Sequence, residues 1–244
     1  MDSRKIDYEF SRGSKMNLAI VLSGGTGTRL GADIPKQYIE VAGKPIIAYC
    51  LEILEASPEI DEICVVAAPE WMDFVNERVK KAGITKFAGC AEGGESRQHS
   101  IKNGLEFFAR TGVPSDSKVL IHDAARPNLS LELIKRCMDG LDNADGVLPA
   151  LTVKDTVYYS EDGKKITGLL DRNCLFAGQA PESFRFGKYW SINKNLTVEE
   201  LEKITGTSQI AFDSGFNIAI VDGDENNYKI TTAVDLDKFK ESKK

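Results

Sequence analysis

The 244-residue sequence contains only two histidines, His99 and His122, and five cysteines with no CxxC pair among them. A zinc cluster or a histidine-based nucleophilic triad needs more converging imidazole and thiolate groups than these. Cys50, Cys64, Cys90, Cys137 and Cys174 are far apart and odd in number, which argues against a disulfide framework. Cys50, Cys64 and Cys137 lie in apolar patterns and read as packing residues. No apolar run approaches the roughly 20 residues needed to cross a bilayer. The first 15 residues are polar and mixed in charge, without the apolar centre of a signal peptide. A cytoplasmic protein is expected, with residues 1–15 as an extension, disordered or additional, of no assigned function. Basic residues do not dominate either: 31 Lys and Arg stand against 37 Asp and Glu, a net charge of -6. The basic residues are dispersed, so a nucleic-acid partner is not expected.

What the sequence does have is concentrated at residues 18–38, LAIVLSGGTGTRLGADIPKQY. Residues 18–22 are apolar without alternation, the pattern of a strand buried on both faces in a parallel sheet. This strand runs into Ser23, Gly24, Gly25, Thr26, Gly27 and Thr28, a loop whose backbone can turn sharply and bring its N–H groups against an anion. Two permanent cations follow, Arg29 and Lys36, the second placed after Pro35 with its fixed φ. Strand end, amide-rich loop and cations suit a triphosphate; the plain alternative is a glycine turn with two solvated cations. The loop is neither a phosphate-binding GxxxxGK[ST] loop, because Thr28 and Arg29 follow Gly27, nor a regular dinucleotide fingerprint, because Leu occupies position 30.

The rest of the chain alternates helical and strand patterns. Residues 45–55 read as a helix with Pro45 in its first turn, 60–68 as a strand, 69–82 as a helix ended by Gly83, and 84–88 as a short strand. This order predicts an α/β domain with a doubly wound, mostly parallel, Rossmann-like sheet and right-handed crossovers, spanning residues 16–244 as one unit. A second glycine turn, Gly93 and Gly94 followed by Glu95, opens a helix over 97–110, with Arg97 and Ser100 one turn apart on one face. Residues 119–121 form a further buried strand, and Asp123 stands at its carboxyl end, where open α/β sheets place ligands. His122 reads as a packed, hydrogen-bonded side chain. A helix over 131–141 and a strand over 146–153 follow, and then two β-rich arms around Asp162-Gly163 predict an inserted hairpin at about 153–172. Helices near 187–195, 198–205 and 234–240 and a strand over 217–221 complete the pattern.

SGGTGTRLG with IPKQY resembles the signature of the cytidylyltransferases that act on polyol phosphates, the 2-C-methyl-D-erythritol 4-phosphate and ribitol-5-phosphate enzymes. The resemblance continues along nearly the whole chain after residue 16. It implies a homodimer embraced by the hairpin arm, CTP and a small polyol phosphate as substrates, and Mg²⁺ as cofactor. It implies that Ser23, Gly24, Gly25, Thr26, Gly27, Gly94, Glu95, Arg97 and Ser100 bind the nucleotide, and that Arg29, Lys36 and Lys229 are the catalytic cations. Asp123, in HDAARP, would hold the metal; Arg126, Thr156 and Arg172 would serve the acceptor.

Two departures stand out. Ala180 and Glu182 replace Thr and Gln of the family's QTPQxF segment, and Asn226 occupies a position where the erythritol enzymes usually carry Asp. Asn is the weaker Mg²⁺ ligand, so either Glu225 or Asp224 supplies a second carboxylate, or Asp123 and the nucleotide hold the metal with water. The GGTGTR loop and Asn226-Asn227 lean towards ribitol enzymes, HDAARP and Asp171-Arg172-Asn173 towards erythritol enzymes. A nicotinamide oxidoreductase would need a ribose-binding acid after the second strand, where Ala67, Ala68 and Pro69 stand. A catalytically weak CTP-binding relative is the remaining alternative.

Overall fold

The structure is a computed structural model, and it describes residues 14–25 and 34–244. The expectations for residues 1–13 and for Thr26, Gly27 and Arg29 lie outside the described residues. In chain order β1 (Asn17–Leu22) precedes a 3-10 turn (Lys36–Tyr38), a small ribbon of β2 (Glu40–Val41) and β3 (Lys44–Pro45), and helix α1 (Ile46–Ala56). The alternation continues with β4 (Glu62–Ala67), α2 (Pro69–Ala82), β5 (Phe87–Glu92), α3 (Arg97–Arg110), β6 (Lys118–Asp123), α4 (Leu131–Gly140) and β7 (Gly146–Thr152). A separate hairpin of β8 (Val157–Tyr159) and β9 (Gly168–Leu170) comes next, then β10 (Phe176–Gly178) and β11 (Glu182–Arg185). The chain closes through α5 (Phe186–Asn193), α6 (Val198–Glu202), α7 (Thr207–Asp213), β12 (Ile218–Asp222) and α8 (Ala233–Glu241).

The main sheet runs β5-β4-β1-β6-β11-β7. β1 pairs in parallel with β4 on one side and β6 on the other, so it is central as its sequence predicts. Its side chains alternate between two cores: Ala19 and Val21 pack with α1 and α4 residues such as Leu54 and Leu133, while Leu18 and Ile20 pack with Leu105 and Phe108 of α3. Both faces are covered by helices, which is why the strand shows no polar alternation. α3 sits low on the sheet because of Gly104: a Cβ there would lie 2.8 Å from Ile20 Cγ2 and 3.0 Å from Val66 Cγ2.

Three elements differ from expectation. The third strand begins at Phe87 rather than Ile84, because Ile84 is spent on the end of α2: its N–H donates to Val79 O (3.1 Å) and its side chain is buried there. Pro45 is the cap residue before α1 rather than part of its first turn. The segment after the hairpin is not only a turn: β10 and β11 both pair antiparallel with β7, and β11 also pairs antiparallel with β6. Short strands broken by Ala180-Pro181 carry too few residues for a period-two signal. β12 pairs in parallel on the other edge of β7.

Candidate functional site

The strand order reverses between β1 and its two neighbours, and at this switch point a cleft of ≈ 430 Å³ opens beyond the carboxyl ends of β1 and β6. Leu22, Gly24 and Gly25 form one wall, Gly94 to Arg97 with Ser100 another, and Lys36, Asp123, Ala125 and Lys229 close it. The glycine loop leaves β1 under backbone control: Ser23 N–H donates to Val66 O (2.7 Å), and Ala124 N–H to Leu22 O (3.0 Å). Gln37, itself buried, donates its amide to Ser23 O (2.6 Å) and Gly25 O (2.9 Å), so the segment carrying Lys36 is tied to the loop. The Tyr38 ring stacks on Trp71 at 4.5 Å and its hydroxyl accepts from Ser23 Oγ at 2.8 Å.

The second wall begins at the N-terminus of α3. Ser96 caps the helix by accepting from His99 N, and Ser100 Oγ accepts the Gly94 N–H (3.0 Å) while donating to Ser96 O (3.1 Å). Gly94 is required by close approach, since a Cβ would come within 2.3 Å of the His99 ring. The backbone of Gly94 and Glu95 therefore faces the cleft with little of its own side-chain bulk.

Asp123 is the electrostatic centre. It is only 7% exposed. Oδ1 accepts from Arg97 Nε (3.2 Å) and Nη2 (3.1 Å); Oδ2 pairs with Lys229 Nζ (2.9 Å) and, more distantly, with Arg126 Nε (3.8 Å). Burial alone would raise this carboxyl, but Arg97, Lys229 and Arg126 outweigh it and hold it well below the usual carboxylate range. It is an ionised, hard oxygen donor at any ordinary pH. Lys229 is delivered by a chain that doubles back onto β6: Ile230 N–H donates to Ala125 O (2.9 Å) and Arg126 Nη1 to Asn227 O (2.7 Å). The fully buried Asn227 braces this return through Ala180 O at 2.6 Å. His122, also fully buried, is pushed down to about 4 by its burial. Its Nε2 lies 3.0 Å from Arg126 O and so carries the proton, which makes it a neutral strut beneath the site, as its sequence context implies.

Of the residues singled out from sequence, Gly24, Gly25, Lys36, Gly94, Glu95, Arg97, Ser100, Asp123 and Lys229 converge on this cleft. Ser23 lies behind it. Arg126 is half-buried beside Asp123 without lining the opening. Thr156 and Arg172 line a different cleft of ≈ 420 Å³ at the hairpin base, together with Leu169, Leu170, Asp171 and Asn173. There Arg172 Nη1 donates to Lys154 O at 2.8 Å. The structure does not bring Glu225 or Asp224 to the Asp123 cleft: Glu225 is exposed and paired with Lys154, and Asp224 Oδ1 accepts the Asn226 N–H at 2.8 Å. Glu225 points to solvent while Asp224 is held by Gln179 and Ser130 away from the cleft, and no group of three His, Cys, Asp or Glu converges as a metal cage among the described residues.

Sequence reasoning assigned no role to Gln37 and discounted Glu182. Glu182 is 7% exposed, and its Oε1 lies 3.8 Å from Arg97 Nη2. Glu182 opens a four-residue strand in which only Phe184 is apolar, and nothing in the chain indicated that this strand lay next to β6.

Similarity to known proteins runs along nearly the whole chain. The family model described as IspD, 2-C-methyl-D-erythritol 4-phosphate cytidylyltransferase, matches residues 17–240. Ribitol-5-phosphate cytidylyltransferase of Streptococcus agalactiae is 33% identical over 226 residues, covering 92% of this chain and 94% of that one. 2-C-Methyl-D-erythritol 4-phosphate cytidylyltransferase of Geotalea uraniireducens is 36% identical over 219 residues, covering 89% and 92%. Among solved structures, 4-diphosphocytidyl-2C-methyl-D-erythritol synthase from Anaerococcus prevotii superposes with a TM-score of 0.77 at 27% identity, covering 94% of this chain and 96% of that one. A family model matching residues 17–240 and relatives 33% and 36% identical over most of both chains place this chain in the IspD family of CTP-using nucleotidyltransferases.

Proposed function

We propose that the protein joins CTP to a polyol phosphate, with 2-C-methyl-D-erythritol 4-phosphate as acceptor, releasing pyrophosphate and leaving a CDP-polyol. The observation that carries this reading is the ionised Asp123 clasped by Arg97 and Lys229 inside a cleft lined by loop amides and Lys36. A phosphate oxygen of the acceptor forms a bond to the α-phosphorus of CTP, and the bond between the α-phosphorus and the bridging oxygen breaks, with that oxygen leaving on pyrophosphate. No proton transfer or covalent enzyme intermediate is needed, because a phosphate monoester dianion is already nucleophilic. The chain's task is to align two anions and offset the charge that develops between them. Lys36 and Lys229 stand where they can do this, and Arg29 joins them in the proposal as the third cation.

Asp123 is the residue that would hold Mg²⁺. One ionised carboxylate with no converging acidic cage among the described residues fits an ion that takes most of its ligands from substrate phosphates and water. When bound, such an ion would neutralise phosphate charge, with Asp123 holding it and Lys229 and Arg97, the present partners of Asp123, beside it as cations for the triphosphate. Thr156 and Arg172, at the hairpin base, are proposed to bind the acceptor, together with Arg126 beside Asp123. The hairpin exposes Tyr158, Tyr159, Ile166 and Leu169, an apolar surface that a second copy of the chain would cover in the proposed homodimer. No helix among the described residues is long and apolar enough to cross a membrane.

A second acceptor, D-ribitol 5-phosphate, is favoured by the Streptococcus agalactiae relative and by Asn226-Asn227. Pyrophosphate release with CTP and Mg²⁺, measured in parallel on both polyol phosphates, decides between them. Turnover with neither would remove the acceptor assignments, and absence of CTP binding would remove the nucleotide assignment as well.

A further inference from the structure

Arg97 touches two carboxylates, and only one of them faces the cleft. Its Nε and Nη2 hold Asp123 Oδ1, while Nη2 lies 3.8 Å from Glu182 Oε1 on the inner side. Glu182 projects from β11, the antiparallel strand next to β6, and its second oxygen accepts from Ser208 Oγ of α7. Arg97 Nη1 donates to Thr207 Oγ1 on the same helix. The guanidinium thus has a fixed support behind it, made of Glu182 and the first turn of α7, and an exchangeable partner in front, Asp123. Glu182 is anchored by Ser208 and does not line the cleft.

We propose that Glu182 is a positioning residue of the nucleotide cleft, which shares Arg97 with Asp123 so that Asp123 can release the guanidinium to a metal-bound nucleotide while Arg97 keeps its place in the wall. This rests on the nucleotide reading above. The argument is one of charge. Asp123, Glu182, Arg97, Arg126 and Lys229 form a compact group with one excess positive charge. Removing the Glu182 charge leaves Arg97 with Asp123 as its sole anionic neighbour of this group, which tightens that pair and makes the surroundings of Asp123 more positive. Both changes oppose a divalent cation at Asp123, and neither opposes the anionic nucleotide. Over the separation of two carboxylates bridged by one guanidinium, one unit of charge at the effective dielectric of a protein site is worth roughly tenfold in affinity.

The test is calorimetric binding of CTP to the full chain, with MgCl₂ and with EDTA, for the parent protein and for Glu182→Gln. In the parent, Mg²⁺ strengthens CTP binding. In Glu182→Gln that strengthening shrinks about tenfold, while CTP in EDTA binds as well as or better than to the parent. A cleft merely disorganised by the substitution would weaken CTP by the same factor in both buffers, and that outcome overturns the proposal. So does an unchanged Mg²⁺ effect. Ser208→Ala, which removes only the hydroxyl that anchors Glu182, moves the Mg²⁺ effect in the same direction by a smaller factor and decides the matter if Glu182→Gln does not fold. Glu182→Asp, which keeps the charge, retains more of the Mg²⁺ effect than Glu182→Gln. A parent that binds no CTP in either buffer fells the nucleotide reading and this proposal together; a parent that binds while the variants match it fells this proposal alone.

Discussion

The nucleotide cleft and the hairpin arm are built on opposite principles. Around Asp123 the charges are interlocked: the buried carboxylate, at the end of β6, holds Arg97 from α3 and Lys229 from the returning chain, both of them partly exposed to the cleft. The arm is a two-stranded hairpin outside the main sheet, joined in three residue pairs and presenting Tyr158 at 58% and Leu169 at 66% exposure. Two strands alone are marginal in water. The cleft is therefore assembled from segments far apart in one chain, whereas the arm stands off the main sheet with its apolar side chains exposed. Asp123 ends a sheet strand, and the two lysines reach the cleft from short segments tied down by hydrogen bonds, Lys36 through Gln37 and Lys229 through Ile230.

The sharpest way to break this contrast is at the cleft. Lys36→Ala and Asp123→Asn should each lower kcat by about 10² to 10³, as loss of a transition-state charge partner does elsewhere; pyrophosphate release under saturating CTP measures it, and near-normal turnover of Lys36→Ala removes that residue from catalysis. Acid sensitivity comes next. The folded His122 imidazole is depressed to about 4, so the unfolded chain binds the extra proton between pH 6.5 and 4 and stability falls as pH falls through that window. At most this amounts to about 3 kcal/mol, read as urea midpoints against pH, and His122→Gln should flatten the slope; an unchanged slope would mean that another group carries it. Asp123, depressed instead from the carboxylate range, contributes above about pH 4 and loses its contribution only below it.

At the arm the effects are smaller and of another kind. Arg172→Ala should raise the KM for the polyol phosphate about tenfold, the worth of one charge-assisted contact, while the KM for CTP stays within about twofold. Equal changes in both constants would merge the two clefts into one site. Leu169→Asp should shift the sedimentation profile towards the monomer at micromolar protein and leave CTP binding intact, with little change in thermal midpoint. A variant that stays dimeric would show that the hairpin face is not the contact.

How much of this was legible depended on whether a signal was local. β1, α2 and α3 were visible because a branched apolar run, the closing Gly83, and the Gly93-Gly94 turn before its helix each declare themselves within a few residues. Asp123 was legible for the same reason: it ends a strand. The antiparallel β11 was not, since nothing within Glu182–Arg185 says that it inserts between β6 and β7. With that placement hidden, Glu182 looked like a departure in a turn, although it lies beside Arg97. Glu225 was misplaced for the converse reason, since adjacency to Asn226 in sequence gave no sign that Lys154 would pair with it outside the cleft.

Gly104 shows how far from the chemistry the geometry is set. It lies seven residues, about two turns, from Arg97 on the same helix, and the space it leaves is occupied by methyl groups of Ile20 and Val66. The helix is in effect a ruler whose zero is this contact with the sheet. A single added methyl would press the middle of the helix away from the sheet, and the guanidinium at its first turn would be carried off the carboxylate that it now meets at 3.1 Å.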